Sequence, residues 1–353
     1  MDFSLFYFGN DNAAAASTSD HADRYELVLE GARFADSHGF CAVWTPERHF
    51  HAFGGLYPNP AVTGAAIASV TERIAVRAGS VVAPLHHPLR IAEEWAVVDN
   101  LSGGRAGVAF ASGWHATDFA LRPENYDDRR TVLLDTVRQV RALWRGEEAE
   151  VRDGTGAPVR VRSHPRPVQA ELPAWITSAG GVETFRQAGD LGAGVLTHLL
   201  GQDLDELAAK IAAYREAFAG RPDADGTDGH VAVMVHAYLG DDEDAVRELV
   251  REPLTAYLRS SVGLLLGSQA RGAGRIDPAK LRDKDLDFLA ARAFDRYYHH
   301  GGLLGTVPKA VRAVRRLADL GVDEVACLID FGLPTKTVLD GFGSLDELRR
   351  LSA

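Results

Sequence analysis

Short apolar runs alternate with longer segments that carry an apolar stripe on one helical face, and the alternation continues along the chain. The runs are nearly continuous in apolar residues, which is typical of parallel strands that are covered on both faces. Eight strands are predicted, near residues 3–8, 40–45, 74–83, 105–111, 173–178, 193–198, 231–239 and 323–330.

The segments between the strands have the spacing of amphipathic helices. Three of the junctions repeat one feature, because Gly39, Gly192 and Gly321 each end a helical segment just before an apolar strand. Glycine is typical of that position, since it adopts the left-handed conformation that ends a helix. Helices are predicted over 22–37 and near 60–71, 88–101, 127–144, 182–190, 203–219, 242–259 and 307–320.

Eight strand–helix units close naturally into a (β/α)₈ TIM barrel, an α/β fold. A doubly wound open sheet is the alternative, but no glycine-rich turn of the GxGxxG kind follows the first strand. We expect one domain over residues 1–353, with a surface excursion at 146–172. An insertion at 260–300, before the last barrel unit, is long enough to be a lid.

Composition narrows the possible partners. The chain has 353 residues and a net charge of -11, so neither nucleic acid nor a membrane surface is an expected partner. No apolar run reaches the ~18 residues that span a bilayer, and the N-terminus lacks the basic region of a signal peptide. The only two cysteines, Cys41 and Cys327, lie in apolar runs, which favours buried thiols in the cytoplasm.

Function in such a barrel lies in the loops after the carboxyl ends of the strands. After the fifth strand, Gly180 and Gly181 lead into a helix whose first turn carries Thr184. Free N–H groups at a helix start favour an anion, and glycines allow it to approach closely. A phosphate site is one interpretation of this turn, and a plain tight turn is the other.

The histidines give a second candidate site. His49 lies on the long loop after the second strand, where an imidazole can take part in proton transfer. His86 and His87 are predicted to border the next helix, before Pro88. No set of His, Cys, Asp or Glu has a zinc spacing, so no metal is predicted.

Seven motifs in these loops and strands occur in order along nearly the whole chain. They are WTPERHF at 44–50, FGGLYPNP at 53–60, RAGSVV at 77–82, DNLSGGR at 99–105, ASGWH at 111–115, THLLGQ at 197–202 and CLIDFG at 327–332. Together they resemble the bacterial luciferase-like flavin monooxygenase family, and most closely the subgroup encoded with polyketide and nonribosomal peptide assembly lines.

The resemblance implies a luciferase-like barrel that binds FMN, reduced by a separate flavin reductase, at its carboxyl end. It also implies O₂ as co-substrate, a flavin hydroperoxide that delivers one oxygen atom, and a homodimer. The ring would lie over a non-proline cis peptide at Gly79–Ser80 and be bordered by Ala111, Ser112 and Trp114. The flavin phosphate maps onto Ser178, Gly180, Gly181 and Thr184, in agreement with the anion site above.

The same resemblance implies that His49 is catalytic and hydrogen-bonds the hydroperoxide or the substrate. The implied substrate pocket contains Phe50, Phe53, His115, His198 and Phe331. Two positions depart from luciferase itself. Arg48 replaces the first of two adjacent histidines, and Ser112 replaces an arginine near the phosphate, for which Arg129 or Arg130 would substitute.

The sequence therefore predicts an FMN-dependent monooxygenase acting on a natural-product intermediate, either a small molecule or one tethered to a carrier protein. Carbon hydroxylation, N-oxidation and oxygen insertion beside a carbonyl all stay open. Two alternatives remain: a deazaflavin-dependent oxidoreductase on the same barrel, and a non-catalytic flavin-binding or carrier-docking protein.

Overall fold

The computed structural model describes residues 1–9, 24–178, 180–222, 226–269 and 283–352, with only the backbone given for 262–269 and 283–286. Within these ranges, eight parallel strands form a closed barrel. They are β1 (Asp2–Phe6), β2 (Ala42–Thr45), β3 (Ala75–Val82), β4 (Ala106–Ala111), β5 (Ala174–Thr177), β6 (Gly194–His198), β7 (Val231–Leu239) and β8 (Glu324–Leu328).

Each barrel strand pairs in parallel with its neighbours in chain order, and β1 pairs with both β2 and β8. Asp2 lies opposite Glu324, and Ser4 lies opposite Ala42, so the first strand closes the barrel. The (β/α)₈ prediction is confirmed. The open sheet is wrong, because β1 and β8 pair with each other and leave the sheet without an open edge.

Helices follow the strands and cover the outside of the barrel. They are α1 (Glu26–Ser37), α2 (Pro60–Ala68), α3 (Pro88–Ser102), α4 (Arg129–Arg145), α5 (Val182–Asp190), α6 (Leu204–Ala219), α7 (Glu243–Gln269), α8 (Asp283–Arg296), α9 (Val307–Asp319), α10 (Thr335–Asp340) and α11 (Phe342–Ser352).

The glycine junctions have the predicted geometry. Gly39, Gly192 and Gly321 have φ values of 76°, 59° and 87°, in the left-handed region where a side chain would be strained. Two other helices begin at side-chain caps: Asn59 Oδ1 accepts the first N–H groups of α2, and Asp203 with Glu206 forms a capping box on α6. These local signals fix where the chain turns back toward the barrel.

The predicted surface excursion at 146–172 and the predicted insertion at 260–300 both contain secondary structure. Residues 149–152 and 158–161 of the predicted excursion form an antiparallel hairpin on the surface. In the predicted insertion, α7 runs on to Gln269, and α8 packs against α7. Residues 270–282 lie outside the described residues, and the lid role of 260–300 stays a prediction.

The amino end of the barrel is filled by a polar cluster. The Glu324 carboxylate accepts hydrogen bonds from Ser4 Oγ at 2.5 Å, Trp44 Nε1 at 2.8 Å and Arg77 Nη1 at 2.7 Å. The Arg77 guanidinium also lies over the rings of Trp44 and Trp175, with Cζ 4.9 and 4.6 Å from their centroids. A ligand of the barrel is therefore expected at the opposite, carboxyl end.

Candidate active site

The barrel mouth, meaning the carboxyl ends of β1–β8 with the loops that follow them, collects the predicted site residues. The loop after β2, residues 46–59, carries three of them, and the end of β3 carries two. The others follow β4, β5, β6 and β8. In order, the predicted residues are His49, Phe50, Phe53, Gly79, Ser80, Ala111, Ser112, Trp114, His115, Ser178, Gly180, Gly181, Thr184, His198 and Phe331.

The end of β3 has the backbone expected from the sequence. The Gly79–Ser80 peptide bond is cis. A Cβ atom added to Gly79 would lie 2.7 Å from Cε2 of Phe6, so no larger residue fits there. The Ser80 hydroxyl bonds Oγ1 of Thr177 at 2.5 Å, which joins β3 to β5 across the mouth.

The turn after β5 leaves space at the start of α5. Gly181 precedes the helix, and no side chain caps the first N–H groups. A Cβ atom added to Gly181 would meet nothing within 4 Å, and one added to Gly180 would meet only Ser178 Oγ, at 3.5 Å. Thr184 lies in the first turn of the helix. Free N–H donors, a hydroxyl and open space fit an anionic group such as a flavin phosphate.

Glu47 holds two histidines at the mouth. Its Oε1 atom lies 2.7 Å from His49 Nε2 and 2.6 Å from His86 Nε2, and Oε2 accepts the Val82 N–H at 2.7 Å. Burial opposes ionisation of Glu47, but these hydrogen bonds outweigh it and hold the pKa below its ordinary value. His87 caps α3, and His86 borders that helix, as predicted; the His86 ring also turns to Glu47, a contact that the sequence did not predict.

Arg48 points away from Glu47 into a second cluster. Its Nη1 atom lies 2.6 Å from Asp118 Oδ2, and Trp114 covers the guanidinium, with Cζ 5.0 Å from the ring centroid. His115 Nδ1 contacts the other Asp118 oxygen at 3.2 Å. Burial and the Arg48 charge lower the pKa of His51, whose ring is 6.3 Å from that of His115.

The barrel interior below the mouth is aromatic around His236. His236 on β7 is fully buried, with its ring 4.5, 5.1 and 5.5 Å from those of Tyr257, Tyr297 and Phe331. Burial lowers the pKa of His236 to about 3 and that of His198 to about 4, so both imidazoles are neutral at pH 7. This interior favours an apolar substrate body over a cation.

Asp330, at the end of β8, is a buried acid in the same region. Its Oδ1 atom accepts the Phe8 N–H at 2.6 Å, and Oδ2 lies 3.5 Å from the Tyr57 hydroxyl. Burial raises the pKa of Asp330 to about 7 despite these donors. Around neutral pH this carboxyl group therefore exchanges between its protonated and ionised forms.

The two phenylalanines of the loop after β2 differ in environment. Phe53 is buried against Tyr257, with ring centroids 4.8 Å apart. Phe50 is 61% exposed and has a φ of 55°, a conformation that bulky residues rarely adopt. Such outliers are concentrated at ligand sites. A pocket role for Phe50 therefore requires a ligand or partner to cover it.

Sequence reasoning gave no role at the site to several polar residues of the mouth, namely Glu47, His86, Asp118, His236 and Asp330. Glu47 and Asp330 lie in the quoted motifs, and His86 was expected to border α3, so Asp118 and His236 are the two without a local signal. Arg129, suggested for the flavin phosphate, donates to the main-chain oxygen of Tyr126 at 2.7 Å, and its role, like that of Arg130, stays a prediction.

Among the described residues, no group of three His, Cys, Asp or Glu is placed to hold a metal ion, and no helix is long and apolar enough to cross a membrane.

Comparisons with known proteins agree with this geometry. Residues 1–324 match the family model of the luciferase-like monooxygenases. The chain is 23% identical over 318 residues to the oxygenase component of the flavin-dependent trigonelline monooxygenase of Acinetobacter baylyi, which covers 88% of this chain and 84% of that protein.

Solved structures share the fold. Monooxygenase RslO1 from Streptomyces bottropensis superposes with a TM-score of 0.80, at 23% identity over 98% of both chains. The FMN complex of the oxygenating constituent of 3,6-diketocamphane monooxygenase from Pseudomonas putida gives 0.73, at 18% identity over 100% of this chain and 98% of that one. An F420-dependent secondary alcohol dehydrogenase gives 0.72, at 17% identity over 100% and 99%. With a family model that spans the barrel strands as far as the first residue of β8, the chain belongs to the luciferase-like monooxygenase family of enzymes.

Proposed function

We propose that this protein is the oxygenase component of a two-component, FMN-dependent monooxygenase. The observation that carries the proposal is its similarity, over 88% of the chain, to a protein named as the oxygenase component of a flavin-dependent monooxygenase. The turn at Gly180–Gly181 supports a phosphate-bearing flavin, because both glycines border open space at an uncapped helix start. When bound, reduced FMN supplies the electrons that activate O₂ for transfer of one oxygen atom.

In this proposal the chain binds and orients the flavin with residues from three loops. Ser178, Gly180, Gly181 and Thr184 hold the phosphate. The ring would lie over the backbone at Gly79, whose lack of a side chain makes room for Phe6. Ser80, Ala111, Ser112 and Trp114 border the ring, and Trp114, which is 38% exposed, is free to contact it.

His49 has the geometry of an oriented acid–base group. Because Glu47 is held ionised, Nε2 of His49 donates to it, which leaves Nδ1 to accept or return a proton. The side chain is 12% exposed, so it reaches the mouth and has little contact with water. We propose that His49 moves the proton at the oxygen that is transferred to the substrate.

The substrate pocket lies below the flavin. Phe53 and Phe331 are buried, and the imidazole of His198 is neutral. His115 belongs to the polar side of the pocket, beside Asp118. Exclusion of water by these side chains slows unproductive loss of oxygen as H₂O₂. The proposed substrate is a natural-product intermediate, free or tethered to a carrier protein, and the proposed partners are a flavin reductase and a second copy of the chain in the cytoplasm.

The test mixes the protein, loaded anaerobically with reduced FMN, with oxygenated buffer. We expect tight binding of reduced FMN and a release of H₂O₂ that is slower than from free reduced FMN. Candidate substrates are then added with ¹⁸O₂, and one ¹⁸O atom per product molecule is expected. Failure to bind reduced FMN, or release of H₂O₂ at the rate of free flavin with no labelled product, overturns the proposal.

The second candidate is a deazaflavin-dependent oxidoreductase, favoured by the match to the F420-dependent alcohol dehydrogenase. That reaction transfers a hydride and needs no O₂. Turnover with the oxidised or reduced deazaflavin under argon, together with no binding of reduced FMN, would establish this candidate in place of the first.

A further inference from the structure

The Arg48 guanidinium has donors that the described residues do not satisfy. The residue is only 2% exposed, yet its Nε and Nη2 atoms are buried without a hydrogen-bond partner within the described part of the chain. Asp118 engages Nη1 alone. A buried donor that is left unsatisfied costs about 1–3 kcal/mol, so such donors in a folded protein require an explanation.

The two free atoms lie on one edge of the guanidinium. The N–H of Nε and one N–H of Nη2 are parallel, and this is an edge on which a carboxylate binds with two hydrogen bonds. The Trp114 ring lies over the flat face of the group and does not compete for that edge. Arg48 therefore presents a planar, two-pronged donor of the kind that recognises carboxylates.

The local charge also favours an anion. Asp118 is the carboxylate that touches Arg48, and it is shared with His115. The pKa of His51 is lowered by burial and next by the Arg48 charge, which shows that the positive charge still acts on its surroundings. One more negative charge at the free edge would be attracted to Arg48 without displacing Asp118.

The location is next to the proposed chemistry. Arg48 follows Glu47 and precedes His49 in one loop, and its main-chain N–H is fixed to the Tyr57 oxygen at 3.0 Å. The side chain extends toward the residues that follow β4, which the proposed function assigns to the flavin ring. A group bound at Arg48 is therefore held close to Trp114, which the proposed function assigns to the flavin ring.

We infer that Arg48 binds a carboxylate of the substrate and so makes this enzyme selective for organic acids. The inference rests on the proposed function for its setting, and it assigns the substrate class of the same site. Asp118 is the positioning residue, because it orients the guanidinium through Nη1 and leaves the Nε–Nη2 edge for the ligand.

The test is titration calorimetry with benzoate, with benzamide as its uncharged match, on the wild type, Arg48→Gln, Arg48→Lys and Asp118→Asn. The wild type is expected to bind benzoate and to show no binding of benzamide. Arg48→Gln should weaken benzoate binding about 10- to 100-fold, the range for hydrogen bonds to a charged group. Arg48→Lys should also weaken benzoate binding. Lysine keeps the charge and the ion pair with Asp118, but it lacks the two parallel N–H donors of the guanidinium.

Asp118→Asn is expected to have the opposite effect on the affinity for benzoate, and this difference separates recognition of the carboxylate from an effect on folding. It keeps an acceptor for Nη1 but removes the competing charge, so benzoate should bind several-fold more tightly. A purely structural Arg48–Asp118 pair predicts that all variants lose affinity together with stability, and this result would overturn the inference. Equal binding of benzoate by the wild type and Arg48→Gln would do the same.

Two further arms separate substrate from flavin. Inorganic phosphate and reduced FMN are titrated into the same proteins, and Arg48→Gln should change neither affinity. A parallel loss of FMN binding would place Arg48 in the flavin site and reject the substrate assignment. Because benzoate binding is measured without flavin, failure of the wild type to bind reduced FMN would reject the proposed function and leave the benzoate result to decide this one.

Discussion

At the scale of single residues, the mouth contains two adjacent side chains with opposite orientations and different tasks. Glu47 turns to His49 and His86, whereas Arg48 turns to Asp118 on the other side of the loop. Glu47 is fixed by hydrogen bonds to the two imidazoles, and Arg48 is fixed by the Asp118 carboxylate. In the two proposals above, the loop thereby separates a proton-handling pair from an anion-binding cation.

His49 gives the first prediction. His49→Ala should lower the rate of oxygen transfer about 10²- to 10⁴-fold, the usual effect of losing an oriented acid–base group. It should also speed H₂O₂ release, because it opens the mouth to water. Both are measured by stopped-flow mixing of the reduced-FMN protein with O₂ and by product yield per flavin. His38→Ala, at the exposed end of α1, is the control, and equal behaviour of both variants would remove His49 from the mechanism.

Asp330 gives a prediction about stability and pH. Burial raises its pKa to about 7, against about 3.9 in an unfolded chain. Between these values the folded protein holds a proton that the unfolded chain has lost, so the free energy of unfolding falls as pH rises from 4 toward 8. Asp330→Asn keeps the acceptor for the Phe8 N–H but cannot ionise.

Urea unfolding at pH 5 and pH 8 checks this. Between the two pH values, the free energy of unfolding of the wild type should fall by about 2–3 kcal/mol more than that of Asp330→Asn. The other titrating groups, including the neighbouring tyrosines, are common to both proteins and cancel. Identical pH slopes in the two proteins would mean that Asp330 is ionised in the fold at neutral pH.

Sequence reasoning finds the residues that sit in local motifs and misses those that meet through the fold. His49 was identified from its loop, and Glu47 is its neighbour. Asp118, by contrast, is 70 residues from Arg48 and lies in an ordinary loop sequence. Asp330 lies within the CLIDFG motif, but its raised pKa depends on how the carboxyl group is buried beside Phe8 and Tyr57, which no spacing reveals.

At the scale of elements, the strands were predictable because each is a continuous apolar run that is buried on both sides. Their predicted and observed bounds differ by two residues at most. The last two helices, α10 and α11, were missed, because they follow the eighth strand, where a complete barrel needs no further unit. The hairpin at 149–161 was missed because its strands are short and mostly exposed.

The start of α5 gives a prediction at this scale. Gly181→Asp places a carboxylate where the phosphate is expected, and the space around Gly181 accepts a side chain. Asp is also a favourable residue before a helix, so the fold should be unharmed. We expect FMN to bind about tenfold more weakly, a loss of ~1.4 kcal/mol, while riboflavin, which has no phosphate, binds as before.

Gly154→Asp is the matched control, since it adds the same charge at the open tip of the hairpin. Both affinities are measured by quenching of flavin fluorescence. If Gly181→Asp weakened riboflavin and FMN equally, the turn would shape the ring site and the phosphate would lie elsewhere. If neither changed, the anion interpretation of Gly180–Gly181 would be wrong.

At the scale of the whole molecule, the two ends of the barrel are built for different purposes. The carboxyl end exposes Trp114 and Phe50 and leaves polar atoms of Arg48 and His236 without partners among the described residues. At the amino end, one carboxylate, that of Glu324, connects side chains of β1, β2 and β3 to β8. The polar cluster that stabilises the barrel lies at the amino end, and ligand binding is expected at the carboxyl end.

Glu324→Gln tests this division. Burial opposes ionisation of Glu324, but Arg77 and then His230 outweigh it and hold the pKa below its ordinary value. The carboxylate therefore contributes stability above that ordinary value, and this contribution is lost as pH falls through the lowered one. Removing the charge leaves Arg77 without its buried partner, which costs about 3–5 kcal/mol at pH 7.

The measurement is urea unfolding of Glu324→Gln and of Glu347→Gln, an exposed control on α11 that should stay within about 0.5 kcal/mol of the wild type. The deficit of Glu324→Gln should shrink as the pH is lowered from 7, because the wild type loses the contribution of its carboxylate as that group takes up a proton. Reduced FMN should bind the folded variant with wild-type affinity, since the cluster lies at the end of the barrel away from the mouth. Weakened FMN binding with unchanged stability would show that the amino-end cluster shapes the site and does not simply close the barrel.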